Sequence, residues 1–357
     1  MSDLIIHSKF REYAADFVGD FTVPLKRETD ADGFIILDQK VFDLHRERFT
    51  KVVNDGRCLV LEARETNKTL DKCKEVIETL VEKNMRRNQK LIAIGGGVIQ
   101  DITAFVASIL YRGIEWSFFP TTLLAQGDSC IGSKTSINLG DKKNLIGNFY
   151  PPSSIYIDTA FLDSLAIADI KSGIGEMLHF YFYANSPMID KLVGNYAGVI
   201  NHRAKLVEYI RESLSIKKSV IEIDEFDKGE RNKFNYGHTF GHALESVTDY
   251  AIKHGQAVTV GMDLANYVST QMGLMSPAVF HELHAKLSIN FPEFNWNKIN
   301  LDQYFALLSK DKKNIGNNVG CILAKAPGEL LKKQLPVDDH FKGMIRTYFS
   351  GQALTGI

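Results

Sequence analysis

Several things are scarce in this sequence. It carries four cysteines, nine prolines and two tryptophans in 357 residues. None of Cys58, Cys73, Cys130 and Cys321 forms a C-x-x-C pair. That excludes a paired-thiol redox motif, and it implies a reducing, cytoplasmic setting in which the cysteines serve as small apolar residues. An excess of one charge is also missing. Lys and Arg number 42 against 43 Asp and Glu, a formal net charge of -1, which gives no electrostatic case for nucleic acid or an anionic membrane as the main partner. No apolar run approaches the roughly 18 residues of a membrane span. The opening MSDLIIHSKF has too short an apolar stretch for a secretory signal. Low-complexity linkers and repeats with a period of roughly 20–50 residues are absent. What is there is ordinary for a globular chain, 45% hydrophobic and 24% charged, and long enough for two domains.

Short aliphatic runs alternate with helical patterns in the first part. GFIILD (33–38), RCLVLEA (57–63), KLIAI (90–94) and IEWSFFP (114–120) read as strands, while residues 69–85 and 98–111 have helical spacing. Continuous apolar strands separated by helices argue for a parallel α/β sheet. Beyond about residue 162 the period is helical and strand signals are few. The expected organisation is an α/β domain over residues 1–162 and a mainly α-helical domain over 163–357.

Gly95, Gly96 and Gly97 stand between a predicted strand and a predicted helix. Glycines there allow close backbone approach, and a helix N-terminus favours phosphate. Gln100 occupies the slot of the third small residue of a G-x-G-x-x-G motif, so a plain strand-to-helix turn fits the stretch equally well. Asp101 is either a carboxylate favoured by the helix dipole or an acceptor for a cofactor hydroxyl. Asp38, Glu65 and Lys68 fall at or after strand ends, where ligands bind in open α/β sheets. Thr121 and Thr122 follow another strand and suit either that crevice or a helix cap. The loop QGDSCIGSKTSINLGDKKNLIGNFY offers Asp128, Lys134, Lys143 and Asn144 among small residues, a composition suited to a polyol phosphate.

Glu176, His238, His242 and His254 are the candidate metal ligands. Spacing alone pairs His238 with His242, four apart on one helical face. No glutamate lies between them as in H-E-x-x-H. Each of the three histidines is beside a glycine.

The blocks GGGVIQD, YRG, PTTLLAQGDSCIGSKTSIN, KNLIGNFYPP, IDTAFL, SGIGEML, NYGHTFGHALE and HGQAV together resemble the 3-dehydroquinate synthase family of sugar phosphate cyclases, in family order from about residue 33 to 320. The resemblance implies an N-terminal nucleotide-binding α/β domain, a helical metal-binding domain and an active site between them. It implies bound NAD, a divalent ion of the zinc type (cobalt being the alternative), and a phosphorylated sugar acid as substrate. The implied reaction converts 3-deoxy-D-arabino-heptulosonate 7-phosphate into 3-dehydroquinate and phosphate.

By position, the resemblance makes Glu176, His238 and His254 the metal ligands. It sends His242 to the substrate phosphate with Lys134, Asn144, Asn235 and one of Lys312 or Lys313. Lys217 and Arg231 would hold the substrate carboxylate, and Asp128 its hydroxyls. Arg112 would reach the phosphate of a neighbouring subunit, implying a homodimer. Asp38, Glu65, Lys68, Gly95, Gly96, Gly97, Asp101, Thr121, Thr122, Lys143 and Thr159 match the NAD site. Three positions depart from the family pattern: His179 stands where a lysine is usual, and Gln100 and Ser133 where glycines are usual. They leave open a related cyclase making another cyclitol. A metal- and NAD-dependent polyol dehydrogenase is the reading from another class.

Overall fold

A computed structural model describes residues 3–140, 142–310 and 314–351, so Lys312 and Lys313 lie outside the described residues. The chain divides into two compact units. One runs to Leu165 and includes Leu206–Phe226; the other comprises Ala166–Lys205 and the chain from Asp227 onward.

The first unit is built on a seven-stranded sheet. Its strands are β1 (Leu4–His7), β2 (Glu12–Phe17), β3 (Phe34–Asp38), β4 (Cys58–Leu61), β5 (Leu91–Gly95), β6 (Trp116–Pro120) and β9 (Ser154–Ile157). The spatial order is β1-β2-β9-β6-β5-β3-β4, with the β1–β2 pair antiparallel and the rest parallel. The four strands read from sequence are all present. β3, β5 and β6 are almost wholly buried because helices cover the sheet, as continuous aliphatic runs require, while the edge strand β4 is half-buried up to Leu61. Ile35, Leu37, Ile92, Ile94 and Phe119 pack with Phe21, Phe49, Tyr156 and Phe161 into one core.

Register then sets function-bearing ends side by side. Asp38 pairs with Leu61, Leu37 with Ile94, and Gly95 with Pro120. The chain leaves β3 for β4 on one side, while β5 lies on the other. The carboxyl ends of β3 and β5 therefore flank a topological switch point, where open α/β sheets bind ligands. The polar stretch after β6 forms a π-helical turn, Ala125–Ser129, and a hairpin of β7 (Ile137–Leu139) and β8 (Lys142–Ile146).

The Leu206–Ile221 helix was expected in the helical domain from its period. It packs in the first unit because its polar groups have partners there. Ser213 Oγ donates to the Gly127 carbonyl at 2.7 Å, and Lys217 Nζ donates to the Asp128 carbonyl and to Asp128 Oδ1, both at 2.8 Å.

The second unit is helical, with one departure from expectation: β10 (Asn318–Ala326) and β11 (Glu329–Pro336) form an antiparallel hairpin. Its core is the helix Ile167–Ala184 crossing His254–Gln271, which also packs on His238–Val247. Glycine permits these crossings. A Cβ at Gly175 would lie 1.9 Å from the Gly255 carbonyl oxygen, and one at Gly255 would lie 1.8 Å from that of Ser172. A Cβ at Gly261 would lie 2.1 Å from the oxygen of Gly237, itself at φ +79°. Gly175→Ala should therefore cost about 3 kcal/mol, at the upper end of overpacking penalties. Gly194→Ala, where a Cβ meets nothing within 4 Å, should leave stability unchanged. Denaturant unfolding of the two variants checks this, and equal stabilities would contradict the packing argument.

Candidate active site

In the first unit, a polar cluster forms at the strand ends. Lys68 is buried, and its Nζ lies 3.1 Å from Asp101 Oδ2, 2.6 Å from Asn144 Oδ1 and 3.5 Å from Glu65 Oε1. Burial pushes the Asp101 carboxyl up and the Lys68 cation pulls it down, leaving it raised to about 6. Asn138 ties the hairpin in: its Nδ2 donates to Glu65 Oε1 at 2.9 Å, and its Oδ1 accepts from the Asn144 amide at 2.9 Å. Asn144, implied for the phosphate, thus sits with the group implied for NAD. Asp38 caps a helix, accepting from the Lys40 amide at 2.9 Å, and burial raises its carboxyl.

The glycine turn opens the helix Gly97–Ile109, with Gly96 as its N-cap and no side-chain cap. Space above Gly97 is open, since a Cβ there would meet nothing within 4 Å. Uncapped amides at a helix start with clear space above them suit a phosphate-bearing cofactor. Gln100 does not fill that space. Its Nε2 donates to the Ser129 carbonyl and its Oε1 accepts from Ser129 Oγ, both at 2.6 Å. Ser133, at φ 66°, donates from Oγ to Glu225 Oε1 at 2.7 Å. Both departures from glycine are therefore accommodated by specific hydrogen bonds. Thr121 is buried, while Thr122 Oγ1 accepts from the Ala125 amide at 3.2 Å, a capping bond. Thr159 opens a 3-10 turn after Asp158, half-buried. Lys134 and Lys143 are exposed. Arg112 is exposed within three successive left-handed residues, Tyr111, Arg112 and Gly113. Asp128 and Lys217, assigned to different parts of the substrate, form one ion pair at 2.8 Å.

In the second unit, the candidate metal ligands converge. Donor atoms of Glu176, His238 and His254 lie within 4.8 Å of one another. His254 Nε2 is 2.7 Å and His238 Nε2 3.6 Å from Glu176 Oε1, bracketing the roughly 3.3 Å between ligand atoms around a tetrahedral zinc. Each ring is oriented from behind. His238 Nδ1 is 3.2 Å from the Tyr236 carbonyl, and His254 Nδ1 is 2.7 Å from Glu245 Oε2. Those contacts suit the tautomer with hydrogen on Nδ1 and a lone pair on Nε2, the usual outer support of a metal-binding histidine.

Burial would raise the Glu176 carboxyl, but the neighbouring His238 and His254, with His179 close by, hold it well below the usual range. Burial opposes charge on His254, yet Glu245 and Glu176 hold its imidazolium well above the ordinary value, while burial lowers His238. A field that retains a proton at this point also attracts a cation. Glu176 is 2% exposed, and both of its oxygens lack a hydrogen-bond partner; the short contacts above are close approaches without hydrogen-bond geometry. A buried carboxylate left in this way fits a bound divalent ion.

Glu245 was missed by sequence reasoning. It lies two turns after His238 on the same helix, which was the available signal. His242, Glu245 and His254 form a second, overlapping donor set. Glu245 is already hydrogen-bonded to His254 Nδ1, whereas neither Glu176 oxygen has a hydrogen-bond partner, so the first set is the better candidate metal centre. Asn235 ends a 3-10 turn with its Nδ2 donating to the Asn232 carbonyl at 3.0 Å, and Arg231 on that turn is buried.

A parallel α/β unit with an open glycine turn and a helical unit with a Glu-His-His cluster define the class of two-domain nucleotide- and metal-binding folds. Within it, the chain belongs to the 3-dehydroquinate synthase family: the family's N-terminal model matches residues 58–172 and its C-terminal model residues 173–314. It is 36% identical over 306 residues to the 3-dehydroquinate synthase of Clostridium tetani, covering 84% of this chain and 81% of that protein. It is 32% identical to the Helicobacter pylori (strain P12) 3-dehydroquinate synthase, covering 92% and 94%. In fold it is similar to 2-deoxy-scyllo-inosose synthase complexed with carbaglucose-6-phosphate, NAD+ and Co2+ (TM-score 0.83, 24% identity, 97% and 98% covered). It is similar also to 2-epi-5-epi-valiolone synthase from Streptomyces hygroscopicus with NAD+ and Zn2+ bound (TM-score 0.83, 22% identity, 99% of each chain).

The two donor sets make different predictions. His238→Ala should abolish stoichiometric zinc binding, His242→Ala should retain it, and Glu245→Gln should weaken it about 10- to 100-fold. Metal analysis and chelator competition read these out. Loss in His242→Ala with retention in His238→Ala would move the ion to the second set.

Proposed function

We propose that this protein is an NAD- and metal-dependent carbon–oxygen lyase that cyclises 3-deoxy-D-arabino-heptulosonate 7-phosphate to 3-dehydroquinate, releasing phosphate. The observation that carries the reading is the buried Glu176 carboxylate, without a hydrogen-bond partner and facing His238 and His254, in a chain of this family. The metal would rest on those three residues. NAD would rest on the strand ends, with phosphates over the Gly96–Gly97 helix start and hydroxyls at Asp38, Glu65, Lys68 and Asp101, with Thr121, Lys143 and Thr159 alongside. When bound, the two groups supply a hydride acceptor that later returns the hydride, and a Lewis acid that acidifies the hydroxyl to be oxidised.

The polypeptide's own contribution is position and charge. Lys134, His242 and Asn235 are assigned to the phosphate, where positive charge and hydrogen-bond donors stabilise the departing dianion. Lys217 and Arg231 are assigned to the substrate carboxylate. Asp128, with its carboxylate fixed by Lys217, accepts from a substrate hydroxyl. Arg112, held in its left-handed run, is assigned to the phosphate of a second copy, so the working form is a homodimer in the cytoplasm. Among the described residues no helix is long and apolar enough to cross a membrane.

A second reading keeps the chemistry and changes the sugar phosphate. It is favoured by His179, an imidazole beside the metal centre where the family resemblance leads one to expect a lysine.

Purified protein supplied with NAD and zinc should release phosphate from the heptulosonate phosphate, with 3-dehydroquinate identified by NMR and no net NADH. Release only from sedoheptulose 7-phosphate or glucose 6-phosphate would establish the second reading instead. Net NADH from a simple polyol would make the protein a dehydrogenase. Lys68→Met should weaken NAD binding at least about tenfold by removing a buried charge-assisted donor; unchanged titration of NAD fluorescence quenching would remove Lys68 from the cofactor site.

A further inference from the structure

His179 is a buried imidazole, 2% exposed, with neither ring nitrogen in a hydrogen bond among the described residues. Two unpaired nitrogens in a buried ring are costly, and the arrangement calls for a role. Packing holds the ring in place: its centroid is 3.9 Å from that of Phe180, 5.9 Å from Phe234 and 5.2 Å from His238. It lies one helical turn after Glu176, so both side chains emerge on one face.

The two oxygens of Glu176 face different neighbours. Oε1 is approached by His254 Nε2 at 2.7 Å and His238 Nε2 at 3.6 Å. Oε2 is approached by His179 Nδ1 at 3.1 Å. His179 is outside the convergent donor set of Glu176, His238 and His254. Its place is therefore at the far oxygen of the carboxylate, away from the point where the three ligand atoms meet.

We propose that His179 is a positioning residue of the metal centre: when the ion binds, the Glu176 carboxylate turns its Oε2, 3.1 Å away and not yet in hydrogen-bond geometry, onto the Nδ1–H of His179, so that it offers the cation the single oxygen Oε1. The inference rests on the metal reading above. A carboxylate free to rotate can bind a divalent ion through one oxygen or two, and a donor on one oxygen removes the second mode. That preserves an open coordination position, which a catalytic zinc needs. The same tautomer leaves Nε2 with a lone pair only. Its neighbour in the working site must then be a donor such as a hydroxyl or water, and an anionic oxygen is excluded there.

The side-chain amides of Asn and Gln separate the ring's two nitrogens. Asn Nδ2 falls where His Nδ1 lies, whereas Gln reaches the place of Nε2 instead. Zinc affinity of the full chain, read by chelator competition, should fall about 10- to 100-fold in His179→Leu, recover in His179→Asn and stay low in His179→Gln. In the cobalt-loaded protein, the visible absorption of His179→Leu should weaken as coordination number rises, while His179→Asn keeps the wild-type spectrum. Wild-type affinity and spectrum in folded His179→Leu would overturn the inference. If leucine unfolds the chain, equal affinities of the Asn and Gln variants would overturn it. A wild-type protein that binds no metal is a different outcome, defeating the metal reading itself and this inference with it.

Discussion

The close approach of three helices in the second unit is the constraint on which the site depends. Gly175 sits against Gly255, and Gly261 against Gly237, with no room for a single added carbon. Glu176 follows Gly175, His254 precedes Gly255, and His238 follows Gly237. Each ligand is thus one residue from a backbone contact that only glycine permits. The contacts bring three side chains from distant parts of the chain to one point. Once there, the ligands are supported from behind by a carbonyl, by Glu245 and, in our proposal, by His179.

The first unit solves a different problem by related means. Parallel register brings Asp38, the glycine turn and the loops after β4 and β6 to the same end of the sheet. The charges gathered there are mutually engaged around two buried lysines, Lys68 and Lys217. Lys68 links Asp101, Asn144 and Glu65, and Asp128 is held by Lys217. Buried pairs of this sort add little net stability. What they provide is fixed orientation, with charges in place before a ligand arrives.

Much of this was legible in the sequence, for physical reasons. β3, β5 and β6 announce themselves because strands covered on both faces are largely apolar, and the half-buried edge strand β4 is aliphatic enough to be read with them. The candidate metal ligands were legible through residue type and the flanking glycines, and the family resemblance gives His242 and His238 different roles where spacing alone joins them. Other features were hidden. The Leu206–Ile221 helix has the period of any amphipathic helix, and only its hydrogen bonds to Gly127 and Asp128 tell where it packs. The β10–β11 hairpin lies in a segment dominated by helical texture. Asn144 is read from its polar loop and the family resemblance, and its hydrogen bond to Lys68, distant in sequence, is not visible there. Glu245 went unread because its partner, His254, is on another helix. Gln100 and Ser133 read as departures from glycine, yet Ser129 and Glu225 receive them.

The central claim is that Glu176, His238 and His254 form a single metal centre. X-ray absorption at the zinc edge of the loaded protein tests it most directly. The account predicts a first shell of nitrogen and oxygen at about 2.0–2.1 Å, with the outer-shell scattering of two imidazole rings and no sulfur. A shell of oxygens alone, without imidazole scattering, would contradict it.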